Sequence, residues 1–254
     1  MIAYATFGLL FLLGLSIPVG IVLFLLGFGL DLFFSPFPLI RGLGNLVWST
    51  SNNPTLIAIP FFVLLGEILV RSGIATRTYA ALDRWVSWLP GGLVHANVAT
   101  ATMFSATSGS SVATAATVAT VSMNENMRYF ISPKLFSGAI AAGGTLGIMI
   151  PPSINLIVYG FLTQSSIPKL FLAGLVPGIG LALAFMVITV IICTIRPDLG
   201  GERRVFPLVQ MLRALLQLIP IILLFTVIIG SIYKGWATPT EAASVGVFGA
   251  FVIA

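Results

Sequence analysis

Residues 103–118 read MFSATSGSSVATAATV, with four serines, three threonines, one glycine and no charge. The chain around this stretch is nearly all apolar. Of its 254 residues 58% are hydrophobic and 7% are charged, and mean hydropathy is +1.10. A soluble domain carries roughly 25% charged residues. This chain lacks the polar surface that water demands, and it reads as an integral membrane protein. Spanning helices need about 20 apolar residues, and several such runs follow one another. Residues 218–235, LIPIILLFTVIIGSIYKG, show none of the alternation of a membrane β-strand. The fold class is therefore all-α, a multi-span helical bundle.

Within such a bundle the hydroxyl-rich stretch divides a helix in two. Residues 93–107 and 112–123 are helical pieces of about 12–15 residues, or about 20 Å at 1.5 Å per residue. The hydrocarbon core is about 30 Å thick, so neither piece spans it alone. Ser108, Gly109, Ser110 and Ser111 break the path at mid-depth. Charge then supplies the topology. The net charge of +5 reflects basic loops, above all residues 196–213, where Arg196, Arg203, Arg204 and Arg213 face Asp198 and Glu202. Positive loops stay in the cytoplasm. Counting back places Lys169 outside, and Arg128, Lys134, Arg71, Arg77 and Arg84 inside. Both ends of residues 93–123 are then cytoplasmic, which makes them a re-entrant hairpin. Non-helical backbone at membrane depth persists only against protein or a water-filled cavity, so the serine tip is expected to point into a polar site. Thr114, Thr117 and Thr120 also suit close helix packing, being small.

A second break faces the same depth. Residues 134–150 are apolar and glycine-rich, and stop at Pro151-Pro152. The residue before a proline is pushed out of helical geometry. Residues 154–162 then resume. Two such breaks expose carbonyls at one helix end and amides at another. Carbonyl and hydroxyl oxygens suit a hard cation such as Na⁺, while amides at a positive helix end suit an anion. Discontinuous helices of this kind mark the site of a secondary transporter. Gly144, Gly147, Pro151 and Asn155 complete the expected pocket around the serine tip.

The remaining segments frame this core. Residues 2–30 are a first membrane segment, broken or tilted at Pro18-Val19-Gly20 and too long for a signal peptide. Residues 31–53 form a loop with short amphipathic pieces. Residues 54–70 are a second segment, with Glu67 and Arg71 four apart on one face; the same acid is open to a coupling role inside the membrane. Residues 74–88 mix Arg77, Asp83 and Arg84 with Tyr79, Trp85 and Trp88, and read as an interfacial helix at headgroup level. Residues 168–195 and 215–233 are clean spans. Thr238-Pro239-Thr240-Glu241 is a capping box that starts another helix.

Several functions are excluded by what the sequence lacks. There is no GxxxxGK[ST] loop for a nucleotide and no HExxH metal motif. Cys193 is alone, so it forms neither an internal disulfide nor a metal cluster. His95 is the single histidine and reads as structural. With no paired carboxylates or catalytic dyad, the chain is not expected to be an enzyme. No aromatic–basic interleaving marks a nucleic-acid surface.

Four motifs, SATSGSSVATAATV, GGTLGIMIPPSINLIVYG, SIPKLFLAGLVPG and ATPTEAASV, stand in this order along the chain. Together they resemble the large membrane subunit of tripartite ATP-independent periplasmic (TRAP) transporters, the DctM type, and the resemblance runs from residue 1 to 254. It implies a bacterial inner-membrane, multi-pass secondary transporter driven by a Na⁺ gradient, with no cofactor beyond the coupling ion. It implies two protein partners, a small four-helix membrane subunit of DctQ type and a periplasmic substrate-binding protein. The cargo would be an organic acid such as a C4-dicarboxylate or sialic acid, moved by an elevator mechanism. Sodium ligation falls on Ser108, Gly109, Ser110, Gly147 and Pro151, and substrate contact on Ser111, Thr114 and Asn155. Residues 1–90 would be scaffold helices, 91–195 the transport region, 196–213 a cytoplasmic loop, and 214–254 the start of a second inverted repeat. Since no second hairpin or second double-proline break is found, the sequence reads as the N-terminal part of a longer subunit. An ion-transporter-class symporter working without a binding protein is the alternative, and a channel a weaker one.

Overall fold

The computed structural model describes the chain apart from Met1, Phe37, Pro38, Phe130 and Glu202, and describes residues 124–129 by their backbone alone. Twelve α-helices follow in order among the described residues: α1 (Ile2–Gly14), α2 (Val19–Phe34), α3 (Leu43–Ser51), α4 (Pro54–Arg71), α5 (Ile74–Val86), α6 (Gly92–Ser108), α7 (Ser111–Tyr129), α8 (Pro133–Met149), α9 (Ile154–Thr163), α10 (Ile167–Ile195), α11 (Leu208–Tyr233) and α12 (Pro239–Ile253). No strand occurs among them, so the all-α expectation holds. Among the described residues, four helical stretches are long and apolar enough to cross a membrane: Pro54–Arg71, Pro133–Thr163, Ile167–Ile195 and Leu208–Tyr233. Glu202 and the Arg128 side chain, counted above with the cytoplasmic charges, lie outside the described residues. Packing divides the chain into two units, residues 1–53 and residues 54–254.

The first unit corrects the reading of residues 2–30 as one broken segment. Ser16 takes a left-handed φ of 59°, and Pro18, which lacks an N–H, stands just before α2. The chain does not resume its direction after this break; it turns back. Tyr4 near the start of α1 meets Phe34 at the end of α2, ring centroids 5.9 Å apart. A Cβ on Gly8 would lie 2.7 Å from Leu26. The two helices, 13 and 16 residues long, are an antiparallel pair. The loop expected over residues 31–53 contains α3, and Asp31 accepts the Leu39 backbone N–H.

The second unit is assembled around α6. Helix α8 approaches α6 and α7 through glycine: a Cβ on Gly143 would sit 2.7 Å from that of Ala101, and one on Gly144 2.8 Å from that of Ala115. Small residues are what let membrane helices come this close. A separate apolar core joins α4, α11 and α12 through Phe62, Leu65, Leu69, Ile228 and Ala243. At the start of α12 the capping box forms as expected. Glu241 N–H donates to Thr238 Oγ1 at 3.3 Å, and Glu241 Oε2 accepts from Thr238 N at 2.7 Å.

Helix α5 is amphipathic, as its spacing predicts, but a protein surface covers it. Ala81 packs with Ala214 and Leu218 of α11, and Trp85 Nε1 donates to the Met211 carbonyl at 2.9 Å. Contact moves forward along α11 as it moves back along α5, so the two run antiparallel. One face of α5 is thus covered by α11, while Thr76 and Arg77 near its start and Trp88 just past its end are exposed. The basic loop is also shorter than residues 196–213. Pro207 precedes α11, which begins at Leu208 and takes Arg213 into its first turns.

Both ends of the hairpin meet the same stretch of chain. A Cβ on Gly91 would touch Thr189 and Cys193 near the end of α10, both at 2.9 Å. At the other end Ser132 N–H donates to the Leu199 carbonyl at 3.1 Å. The connection is fastened further on, where Arg204 Nη2 donates to Asp83 Oδ1 at 2.7 Å, with side chains 19% and 13% exposed. Ser87 donates to the same carboxylate. The two ends of residues 92–129 thus lie against one stretch of chain, residues 189–199.

Two outcomes follow. In a Cys193→Ser background, single cysteines at Trp88 and Lys134 should both resist a membrane-impermeant thiol reagent outside intact cells, and both react in inside-out vesicles. Reaction of just one from outside would make residues 92–129 a span. Arg204→Met removes one partner of the buried Asp83 carboxylate, which Ser87 still contacts, and should cost up to about 3 kcal/mol, read as a lower melting temperature of the detergent-purified protein. An unchanged melting temperature would mean that the pair contributes nothing to the base of the hairpin.

Candidate functional site

The hairpin tip is shaped by one glycine. Helix α6 ends at Ser108, and Gly109 follows with φ 59° and ψ 9°, a left-handed conformation that costs glycine nothing. Space also requires glycine here, because a Cβ would lie 2.6 Å from the Pro152 carbonyl oxygen. That closeness has a purpose on the backbone: Ile154 N–H donates to the Gly109 carbonyl at 3.1 Å. The tip of the hairpin and the break between α8 and α9 are thereby joined directly. On the far side of the break, Ser153 Oγ donates to the Ile148 carbonyl at 2.7 Å, satisfying a group freed where α8 ends.

Hydroxyls line the same place. Ser108 Oγ and Thr114 Oγ1 lie 2.9 Å apart, both buried. Ser110 starts α7: its carbonyl accepts from Thr114 N at 3.0 Å and its Oγ from Ala113 N at 3.4 Å. Gly147 of α8 lies directly beneath, where a Cβ would come within 2.9 Å of the Ser110 carbonyl carbon and the Ser111 nitrogen. The structure therefore brings Ser108, Gly109, Ser110, Ser111, Thr114 and Gly147 together. Pro151 is buried in the bend, and Asn155 is exposed, one residue past Ile154. His95 is wholly buried, with Nε2 2.9 Å from the Pro90 carbonyl, and fastens the start of the hairpin.

Helix α4 contributes what sequence reasoning placed elsewhere. A Cβ on Gly66 would lie 3.0 Å from that of Ser108, so α4 seats the tip. Glu67, the next residue, lines a cavity of about 280 Å³ together with Ser108, Ser110, Thr117 and Thr120. Its Oε1 accepts from Arg71 Nε, the pair expected from the spacing. The one available signal was an acid inside an apolar run, PFFVLLGEILVR; nothing in it announced contact with a tip some forty residues on. Among the described residues no group of three His, Cys, Asp or Glu side chains is placed to hold a metal. A cation at this tip would be held by hydroxyl and carbonyl oxygens.

The fit of Gly147 can be measured. Gly147→Ala drives a methyl into Ser110 and Ser111 backbone, and such overpacking costs about 1–3 kcal/mol. Gly138, on the same helix, has nothing within 4 Å of its Cβ position. Gly138→Ala should instead gain up to about 1 kcal/mol from helix propensity. Melting curves that move the same way for both variants would contradict the close seat at Gly147.

Comparison with known proteins agrees with these motifs. The family described as tripartite ATP-independent periplasmic transporter, DctM component, matches residues 6–254. The chain is similar to the C4-dicarboxylate TRAP transporter large permease protein DctM of Pseudomonas aeruginosa, 40% identical over 222 residues, 87% of this chain and 51% of that protein. It is also similar to the sialic acid TRAP transporter large permease protein SiaM of Vibrio cholerae, 34% identical over 197 residues, 76% of this chain and 45% of that one. The isethionate TRAP transporter permease protein DctMQ of Oleidesulfovibrio alaskensis is 34% identical over 210 residues, 82% of this chain and 33% of that one. The chain thus spans about half the length, or less, of these relatives. With the family matched over nearly all of its residues, the chain belongs to the DctM family of TRAP transporter permeases.

Proposed function

We propose that this chain carries the first sodium site, and part of the substrate site, of a Na⁺-coupled importer of organic acids that works by an elevator mechanism. The observation that supports it most is the Gly109–Ile154 backbone bond. It holds two helix breaks together inside an apolar bundle and surrounds them with the oxygens of Ser108, Ser110 and Thr114. Oxygen-only surroundings suit a hard monovalent cation, which trades its hydration shell for them. Ser108, Gly109, Ser110, Gly147 and Pro151 are the proposed sodium side, and Ser111, Thr114 and Asn155 the substrate side. The names of the relatives, a C4-dicarboxylate, a sialic acid and an isethionate transporter, are all of anions at neutral pH. That supports an anionic cargo, delivered by a periplasmic binding protein to the inner membrane. The joined name DctMQ supports a DctQ-type small subunit as partner.

The test uses the complete transporter in proteoliposomes, with its binding protein outside. Ser110→Ala removes one oxygen and keeps the size, so half-maximal uptake should need about tenfold more Na⁺, the loss of one charge-assisted contact. An unchanged Na⁺ dependence for both Ser108→Ala and Ser110→Ala would remove the sodium assignment.

A further inference from the structure

The cavity beside the tip has a use that the tip alone does not explain. One wall is Ser108 and Ser110; the others include Thr117 and Thr120 of α7 and Glu67 of α4. Thr117 Oγ1 donates its proton to the Ala113 carbonyl and Thr120 Oγ1 to the Ala116 carbonyl, both at 2.8 Å. With their protons committed to the helix, these hydroxyls can offer the cavity only lone pairs. Glu67 offers a carboxylate at the same level, because its neighbour Gly66 is the residue against which Ser108 packs. Thr117 and Thr120 therefore face this space as acceptors and Glu67 as an anion, while the Ser108 and Ser110 hydroxyls are free to turn lone pairs toward a cation.

We propose that this cavity is a staging site for the monovalent cation, through which Na⁺ reaches the serine tip. The inference rests on the Na⁺-coupled reading above. A carboxylate among acceptor oxygens repels an organic acid, so the cargo is not its occupant. A divalent cation is equally unsuited, since such ions take six to eight oxygens and more than one carboxylate, and Glu67 is already shared with Arg71. A single, partly neutralised carboxylate over a cavity of about 280 Å³ fits a monovalent ion that keeps some of its water. Arg71 sets the strength of this attraction: it occupies one carboxylate oxygen and opposes the field. An ionisable residue beside a helix break in an apolar bundle is the kind that marks an ion path.

This role makes Glu67 and Arg71 act in opposite directions, whereas an ion pair that only supports α4 would make them act alike. In the complete transporter in proteoliposomes, Glu67→Gln should raise the Na⁺ concentration for half-maximal uptake severalfold, the pull of one half-exposed charge beside the cavity. The substrate concentration for half-maximal uptake at saturating Na⁺ should not change. Arg71→Gln, which frees the carboxylate, should lower the Na⁺ requirement, and Glu67→Asp should lie between wild type and Glu67→Gln. Wild-type uptake that ignores Na⁺ would overturn this inference and the proposed function together. Na⁺-dependent wild-type uptake with a superimposable Glu67→Gln curve, or with both requirements raised in Glu67→Gln and Arg71→Gln, would overturn this inference alone.

Discussion

A helix that stops inside a hydrocarbon layer leaves backbone N–H and C=O groups that lipid cannot satisfy. This chain ends two helices within an apolar bundle, after Ser108 and after Met149, and answers each break with the other. The hydrogen bond from Ile154 N–H to the Gly109 carbonyl is the direct link. Much of the second unit serves to permit it. Gly109 is glycine because Pro152 stands too near for any Cβ and Gly147 because Ser110 and Ser111 do, while Gly66 lets Ser108 pack tightly against α4. Hydroxyls then occupy the space that larger apolar side chains would otherwise close, and a polar site results inside an otherwise apolar protein.

Holding the tip in place also requires holding its base. The hairpin leaves and rejoins the same neighbourhood, against the end of α10 and the connection that follows it. That connection is pinned by Arg204 to Asp83 and Ser87 at the foot of α5. Helix α5 in turn lies along α11, and α11 packs with α12 and α4, which seats the tip. The contacts close a loop of dependence, base to α5 to α11 to α4 to tip.

What the sequence made legible follows the reach of its signals. Gly109, the double proline and the Thr238 capping box are local devices, and each break or start lies within a few residues of its reading. Charge placed both ends of residues 93–123 on one side, and the fold brings Gly91 and Ser132, which flank the hairpin, against one stretch of chain. Other features depended on distant partners. Pro18 marks a break, but whether the chain continues or reverses is decided by packing between Tyr4 and Phe34. The stripe on α5 demands a cover without saying whether lipid or α11 supplies it. Arg213 read as loop because it is charged, whereas Pro207 sets where α11 begins. Glu67 read as half of an i, i+4 pair, which it is; its place beside Ser108 is a tertiary fact.

The Gly109–Ile154 bond also determines what kind of change the site can absorb. Both of its partners are main-chain atoms, so it asks nothing of the Ile154 side chain. It asks instead that the segment from Gly147 to Ile154 contain a fixed number of residues. One residue more or fewer displaces the donor by up to about 3.5 Å, more than the 3.1 Å length of the bond itself. Here a change of letter is tolerable where a change of spelling length is not.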